Sequence, residues 1–210
     1  MNAPILLTAL AAATGALHIR ADLIGARRQT YVWKPLTTGL IIAAALLISP
    51  VVDGVYRLLI VGGLVFSLAG DVFLMLPTDR FLAGMVSFFV AHLCYIAAFV
   101  SLGGGATTPC LLLPLVIGGG VVAVLIWPRL DRLRLPVLLY IVTILVMGWQ
   151  ALGLRQIAGR SLVAPGAILF VLSDAALALD RFRHPIPLRA LLVLSAYYPA
   201  QALIAWSILR

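Results

Sequence analysis

Residues 58–76 read LLIVGGLVFSLAGDVFLML, nineteen residues of which only Asp71 is charged. A helix needs about 20 predominantly apolar residues to cross the hydrocarbon core of a bilayer, so this stretch predicts a transmembrane helix. A second run, AILFVLSDAALAL at 167–179, also contains one charged residue, Asp174. A carboxylate in hydrocarbon costs a few kcal/mol or more, so both aspartates are candidate functional residues.

The composition places the whole chain in the membrane class. Of the 210 residues, 63% are hydrophobic and 10% are charged, and the mean hydropathy is +1.14. About a quarter of the residues in an ordinary soluble domain are charged, so a soluble fold is excluded. The apolar runs have the length of helices and not of the roughly ten-residue alternating strands of an outer-membrane barrel. The sequence therefore predicts an all-α integral membrane bundle.

The apolar runs predict eight transmembrane helices joined by short connections rich in Pro, Gly or Arg. The expected ranges are 3–19, 35–49, 56–76, 82–101, 109–127, 136–155, 162–179 and 188–208. The first run lacks a preceding basic segment and a convincing cleavage site, so we expect a transmembrane helix there and not a signal peptide.

Basic residues are concentrated on one side of this predicted topology. The loops after helices 1, 3, 5 and 7 carry most of them, namely Arg20, Arg27, Arg28, Lys34, Arg80, Arg129, Arg132, Arg134, Arg181, Arg183 and Arg189. By the positive-inside rule these loops face the cytoplasm and both termini lie outside, as in a protein of the bacterial inner membrane. The net charge of +8 is explained in this way and does not indicate nucleic-acid binding.

The two aspartates belong to a repeated pattern. Each is followed by the tripeptide Asp-Arg-Phe, at 79–81 and at 180–182. We therefore expect a single transmembrane domain, 1–210, with a pseudo-repeat of two parallel halves, 1–105 and 106–210. At a rise of about 1.5 Å per residue, both carboxyls are expected about 9 Å inside the cytoplasmic boundary, where they could face one polar cavity. Each tripeptide is expected to form a salt bridge at a helix end, with substrate contact as the alternative.

Several other polar side chains fall inside or next to the predicted helices. His92 is expected near the middle of helix 4, with Tyr95 on the same face. Tyr197 and Gln201 are four residues apart in helix 8. For these residues a role in the site and a role in hydrogen bonding between helices are both open. Lys34, at the predicted start of helix 2, either snorkels to lipid headgroups or binds a substrate phosphate.

These residues form short motifs that together resemble the signature of the YhhN-like family, which includes the lysoplasmalogenases. The motifs are Gly70-Asp71 followed by Arg80-Phe81, Phe88-Phe89-x-x-His92-x-x-Tyr95, Lys34-Pro35-Leu36-Thr37, Tyr140 with Met147, Ser173-Asp174, and Tyr198-x-x-Gln201. The resemblance covers helices 2 to 8. It implies a multi-pass protein of eight spans that hydrolyses the vinyl ether bond of lysoplasmalogens. The implied products are a fatty aldehyde and a glycerophosphoethanolamine or glycerophosphocholine.

This reaction needs an acid that is protonated near neutral pH and a negative group that stabilises an oxocarbenium ion. Glycosidases meet the same need with two carboxyls. The hypothesis is that Asp71 and Asp174 form such a pair, with the two roles unassigned, and that His92 or Tyr197 orients the water. The residues expected to contact the lysophospholipid substrate are Lys34, Tyr140, Tyr197, Tyr198 and Gln201. The substrate and the lipid bilayer are the expected partners, and no cofactor or metal is expected.

The alternative is a proton-coupled transporter or a lipid-binding membrane protein, because membrane aspartates, a buried histidine and parallel repeats also serve transport. Aldehyde release from detergent-solubilised protein separates the two, since a transporter releases none. An intramembrane aspartyl protease is disfavoured, because Leu68 stands where the Gly-x-Gly-Asp pattern requires its first glycine.

Overall fold

The structure is a computed structural model that describes residues 3–78, 80–104, 109–154 and 161–210. Within these residues the chain forms eight α-helices, which are α1 (Ala3–Leu23), α2 (Arg27–Leu47), α3 (Gly54–Met75), α4 (Phe81–Ser101), α5 (Leu112–Ile126), α6 (Arg134–Leu154), α7 (Val163–Phe182) and α8 (Arg189–Trp206). The described residues contain no strand, and Val51 and Leu209 form an isolated β-bridge. The predicted all-α, eight-helix fold is confirmed.

Seven helical segments of the described residues are long and apolar enough to cross a membrane, by length and composition. They are α1 to α4, α7, and the segments Pro109–Arg129 and Asp131–Leu154, which contain α5 and α6. The remaining helix, α8, carries Tyr197, Tyr198 and Gln201, all of which are buried. Helix α8 packs against α1, α2, α3 and α7. Its polar side chains therefore face other helices, where hydrogen-bond partners are within reach.

The start of α2 differs from the prediction. The helix begins at Arg27 and not at 35, so Lys34 and Pro35 lie inside it. The sequence placed the boundary at Pro35 because proline lacks a backbone N–H and usually marks a first helical turn. As a result Lys34 lies about two turns inside the helix, where its side chain reaches the interior of the bundle.

Small residues set the close packing of α3 on α4. A Cβ atom on Gly63 would lie 2.3 Å from the ring of Tyr95, and one on Gly70 would lie 2.6 Å from the ring of Phe88. Only glycine leaves room for these rings at such separations. The glycines turn the same face of α3 toward protein, and Asp71 is 2% exposed beside that face.

Candidate active site

A cavity of about 440 Å³ contains both aspartates. Asp71 comes from α3 and Asp174 from α7, and α8 packs against both of these helices. The inner wall includes Lys34, Phe88 and Tyr197. The mouth is formed by charged side chains at helix ends on one side of the bundle, which are Asp22, Arg80, Asp180, Arg181 and Arg189.

Asp71 has the contacts of an ionised carboxylate. Its Oδ1 lies 3.3 Å from Nζ of Lys34, and the two side chains are 3% and 13% exposed. Its Oδ2 accepts hydrogen bonds from Oγ1 of Thr38 at 2.8 Å and from the hydroxyl of Tyr197 at 2.8 Å. A buried charge is tolerated when it is paired and hydrogen-bonded in this way.

A chain of hydrogen bonds extends from Asp71 deeper into the bundle. Nε2 of Gln201 donates to the hydroxyl of Tyr197 at 3.1 Å, and the hydroxyl of Tyr95 donates to Oε1 of Gln201 at 2.8 Å. Tyr95, Tyr197 and Gln201 are all buried. These hydrogen bonds fix the position of the Tyr197 hydroxyl and therefore of the Asp71 carboxylate.

Asp174 lies in a different environment. The hydroxyl of Tyr140 on α6 donates a hydrogen bond to Oδ2 of Asp174. Asp174 is partly exposed to the cavity. It also lines a second cavity of about 330 Å³, whose walls are otherwise almost wholly apolar. The two cavities meet at Asp174 and share with it four apolar residues, Leu74, Phe81, Phe88 and Leu177.

Charged residues at the mouth form an ion cluster. Nη2 of Arg189 lies 3.0 Å from Oδ2 of Asp22, and its Nε lies 3.7 Å from Oδ2 of Asp180. Oδ1 of Asp180 accepts from the backbone N–H of Ile186 at 2.9 Å. These contacts anchor the α7–α8 connection beside the end of α1.

The two Asp-Arg-Phe tripeptides meet at this end of the bundle. The rings of Phe81 and Phe182 pack edge to face with centroids 5.4 Å apart, and the guanidinium of Arg181 lies 5.1 Å from the centroid of Phe81. The first aspartate of the pattern, residue 79, lies outside the described residues. The described ion pair of Asp180 is with Arg189, and the salt bridge expected within each tripeptide stays a prediction.

Three of the predicted site residues, His92, Tyr198 and Gln201, line neither cavity. Tyr198 shares a hydrogen bond of 2.6 Å with Nδ1 of His18, and His18, not Tyr198, lines the polar cavity. His92 is fully buried, with its ring 4.8 Å from Phe170 and 5.3 Å from Tyr140, centroid to centroid. Neither ring nitrogen of His92 has a hydrogen-bond partner among the described residues.

The sequence profile of the YhhN family matches residues 29–208 of this chain, which include every contact residue of both aspartates. The chain belongs to the YhhN family. YhhN of Escherichia coli O157:H7, an uncharacterized membrane protein by name, is 34% identical over 135 residues, or 64% of each chain. No solved structure matches the chain.

Mammalian relatives of this chain are named lysoplasmalogenases. Human lysoplasmalogenase TMEM86B is 39% identical over 159 residues, which are 75% of this chain and 66% of that protein. Lysoplasmalogenase TMEM86A of Bos taurus is 37% identical over 153 residues, which are 69% of this chain and 62% of that protein. The chain thus spans slightly less than two thirds of the length of these relatives.

The sequence reasoning missed three residues of the site in this YhhN-family chain. Thr38 donates to Asp71, His18 lines the polar cavity, and Arg189 joins two aspartates at the mouth. Thr38 follows the Lys34-Pro35-Leu36-Thr37 motif directly and lies four residues after Lys34, so helical spacing could have identified it. His18 and Arg189 are at helix ends, where polar residues are common, and carried no such signal. Among the described residues no group of three or more His, Cys, Asp or Glu could hold a metal ion.

Proposed function

We propose that this YhhN-family protein is a membrane-embedded hydrolase that cleaves the vinyl ether bond of lysoplasmalogens. The observation that carries the proposal is the pair of carboxyls in one cavity. A cation and two hydroxyls contact Asp71, whereas Asp174 lines both the polar and the apolar cavity. A lysophospholipid has the same division, with a polar headgroup and an apolar chain on either side of the bond to be broken. The names of the mammalian relatives support the same reaction.

Asp174 is the proposed acid. It transfers its proton to the vinyl carbon that is not bonded to oxygen, and the electrons of the double bond form the new C–H bond. An oxocarbenium ion results at the neighbouring carbon. Asp174 suits this role because it lines both cavities, and because the hydroxyl of Tyr140 occupies only its Oδ2.

Asp71 is the proposed stabilising anion. Lys34, Thr38 and Tyr197 hold it in the ionised form, and its negative charge offsets the cation that develops beside it. Because the carboxylate is already oriented by these donors, little reorganisation is needed when the cation forms. In this proposal Lys34 orients Asp71. Arg80 and Arg181 at the mouth, and not Lys34, contact the phosphate of the substrate.

Water completes the reaction. A water molecule adds to the oxocarbenium carbon and gives a proton to the Asp174 carboxylate, which restores the acid. The resulting hemiacetal transfers its hydroxyl proton to the glycerol oxygen and collapses, so the C–O bond breaks and the aldehyde and the glycerophospho-alcohol leave. The positive-inside orientation would place the mouth of the polar cavity at the cytoplasmic face, where the headgroup of a lipid in that leaflet lies.

The test is aldehyde release from lysoplasmalogen by purified protein in detergent. We expect Asp174→Asn and Asp71→Asn each to lower the rate by at least about a hundredfold, since each removes a group that acts in the transition state. Asp131→Asn is the matched control because Asp131 is exposed between α5 and α6, and its rate should equal that of the wild type. Either cavity variant, if well folded and close to the wild-type rate, would show that the pair is not catalytic. A wild-type protein that releases no aldehyde in detergent would favour transport or lipid binding.

A further inference from the structure

The apolar cavity opens beside Asp174 on the side away from the ion cluster. Its walls come from α4, α5, α6 and α7, with Leu74 from α3. Residues from α6 and α7 line it over Val137 to Leu145 and over Ile168 to Phe182, so it extends both above and below Asp174. Six residues separate Ile168 from Asp174, which corresponds to about 9 Å of depth away from the mouth.

The cavity also has a lateral opening. Pro114, Gly118 and Leu172 line it and are exposed on the outer surface of the bundle, between α5 and α7. A hydrocarbon chain can therefore enter from the bilayer without first passing through water. Such a chain leaves one hydrocarbon environment for another, so the cavity discriminates by shape more than by hydrophobic affinity.

The glycines of α5 create much of this space. A Cβ atom on Gly119 would lie 2.6 Å from Cδ1 of Leu145, which shows that α5 packs closely on α6 at this level. A Cβ atom on Gly118 would have no heavy atom within 4 Å, although Gly118 lines the cavity. The absence of a side chain at Gly118 keeps the cavity open at the level of Leu145, more than one helical turn deeper than Tyr140.

We propose that the apolar cavity holds the single hydrocarbon chain of the lysolipid substrate, and that Gly118 sets how long a chain it accepts. This inference rests on the proposed hydrolase function for its reaction, and on the cavity geometry for its location. Asp174 and four apolar residues line both cavities, and this shared wall specifies the occupant. A molecule whose headgroup lies in the polar cavity and whose reactive bond lies at Asp174 must continue into the apolar one.

The test compares Gly118→Leu with Gly120→Leu. A Cβ atom on Gly120 would also meet no heavy atom within 4 Å, and Gly120 lies on the same helix but does not line the cavity. Both variants therefore change helix propensity equally and differ only in whether the new side chain enters the cavity. The measurement is the ratio of aldehyde release from a long-chain lysoplasmalogen to that from a six-carbon analogue.

We expect Gly118→Leu to lower this ratio at least tenfold and Gly120→Leu to leave it within twofold of the wild type. An unchanged ratio in Gly118→Leu, or an equal fall in both variants, would overturn the inference.

A second measurement separates this inference from the proposed function. A non-hydrolysable alkyl ether lysolipid with a diazirine in its chain is photocrosslinked to the protein, and the labelled peptides are identified by mass spectrometry. Labelling of α5 and α6 in the wild type, reduced in Gly118→Leu but not in Gly120→Leu, supports the chain site even if no aldehyde is released. Labelling that is equal in all three proteins would indicate contact with bilayer-exposed surfaces only and would refute the site.

Discussion

Replacing Lys34 by methionine tests the contact on which the assignment of Asp71 depends. The ion pair is buried, with Nζ 3.3 Å from Oδ1 of Asp71 and side-chain exposures of 13% and 3%. Removing one partner of a buried pair leaves an uncompensated charge, which costs about 3–5 kcal/mol. Thr38 and Tyr197 still donate to Oδ2 in the variant. We therefore expect the lower end of that range, a loss of about 3 kcal/mol in the free energy of unfolding.

The assay is denaturant unfolding in detergent micelles for the wild type, Lys34→Met, Asp71→Asn and the double variant. In the double variant the uncompensated charge is removed together with its partner. We expect the double variant to be more stable than the sum of the single effects predicts, by about 1–3 kcal/mol. Arg20→Met is the control because Arg20 is exposed on α1, and its effect should stay within about 0.5 kcal/mol.

Two results would refute the reasoning. If Lys34→Met unfolded at the same free energy as Arg20→Met, the buried pair would not contribute to the folded state. If the effects of Lys34→Met and Asp71→Asn were simply additive, the two residues would not be coupled. In either case Lys34 would not be the group that holds Asp71 in the ionised form. The proposed role of Asp71 as the stabilising anion would then have no structural basis.

Two further predictions concern the other carboxyl and the packing of the helices. Tyr140→Phe removes the hydrogen bond to Asp174 but keeps the ring. We expect aldehyde release to fall about tenfold or more, while the free energy of unfolding falls by only about 1–3 kcal/mol. Loss of stability without loss of rate would contradict a positioning role for Tyr140. Gly70→Ala places a Cβ atom 2.6 Å from the Phe88 ring and should destabilise the protein by about 1–3 kcal/mol. Gly39→Ala, whose Cβ would meet no heavy atom within 4 Å, is its control in the same unfolding assay, and equal stability of the two variants would show that α3 and α4 are not closely packed.

The fold was predictable because a bilayer imposes a simple constraint on sequence. Backbone groups in hydrocarbon must bond internally, so long apolar runs form helices. The eight helices and the inward position of Asp71 follow from this constraint and from the glycines beside Asp71. The parallel halves 1–105 and 106–210 remain a prediction, as does the depth of the two carboxyls in the membrane.

The partners of each site residue could not be predicted, because they depend on which helices are neighbours. Pro35 placed Lys34 at a helix start in the prediction, whereas the structure continues α2 through both residues and brings Lys34 to Asp71. Tyr198 and Gln201 belong to one motif, yet one bonds to His18 on α1 and the other to Tyr95 and Tyr197. Rotation of α8 about its axis decides these partners, and its sequence alone does not fix that rotation.

The same dependence gives two similar aspartates the different neighbours on which their proposed roles rest. Asp71 and Asp174 each follow a small residue in an apolar run, so the sequence treats them as equivalent. In the folded chain α2 and α8 supply one carboxyl with a cation and two hydroxyls, whereas α6 supplies the other with one hydroxyl. Because protonation of a buried carboxyl is governed by the groups around it, a difference in neighbours is sufficient to make one the anion and the other the acid. An enzyme of this design would lose its activity when the neighbours of the two aspartates are exchanged, even with both carboxyls intact.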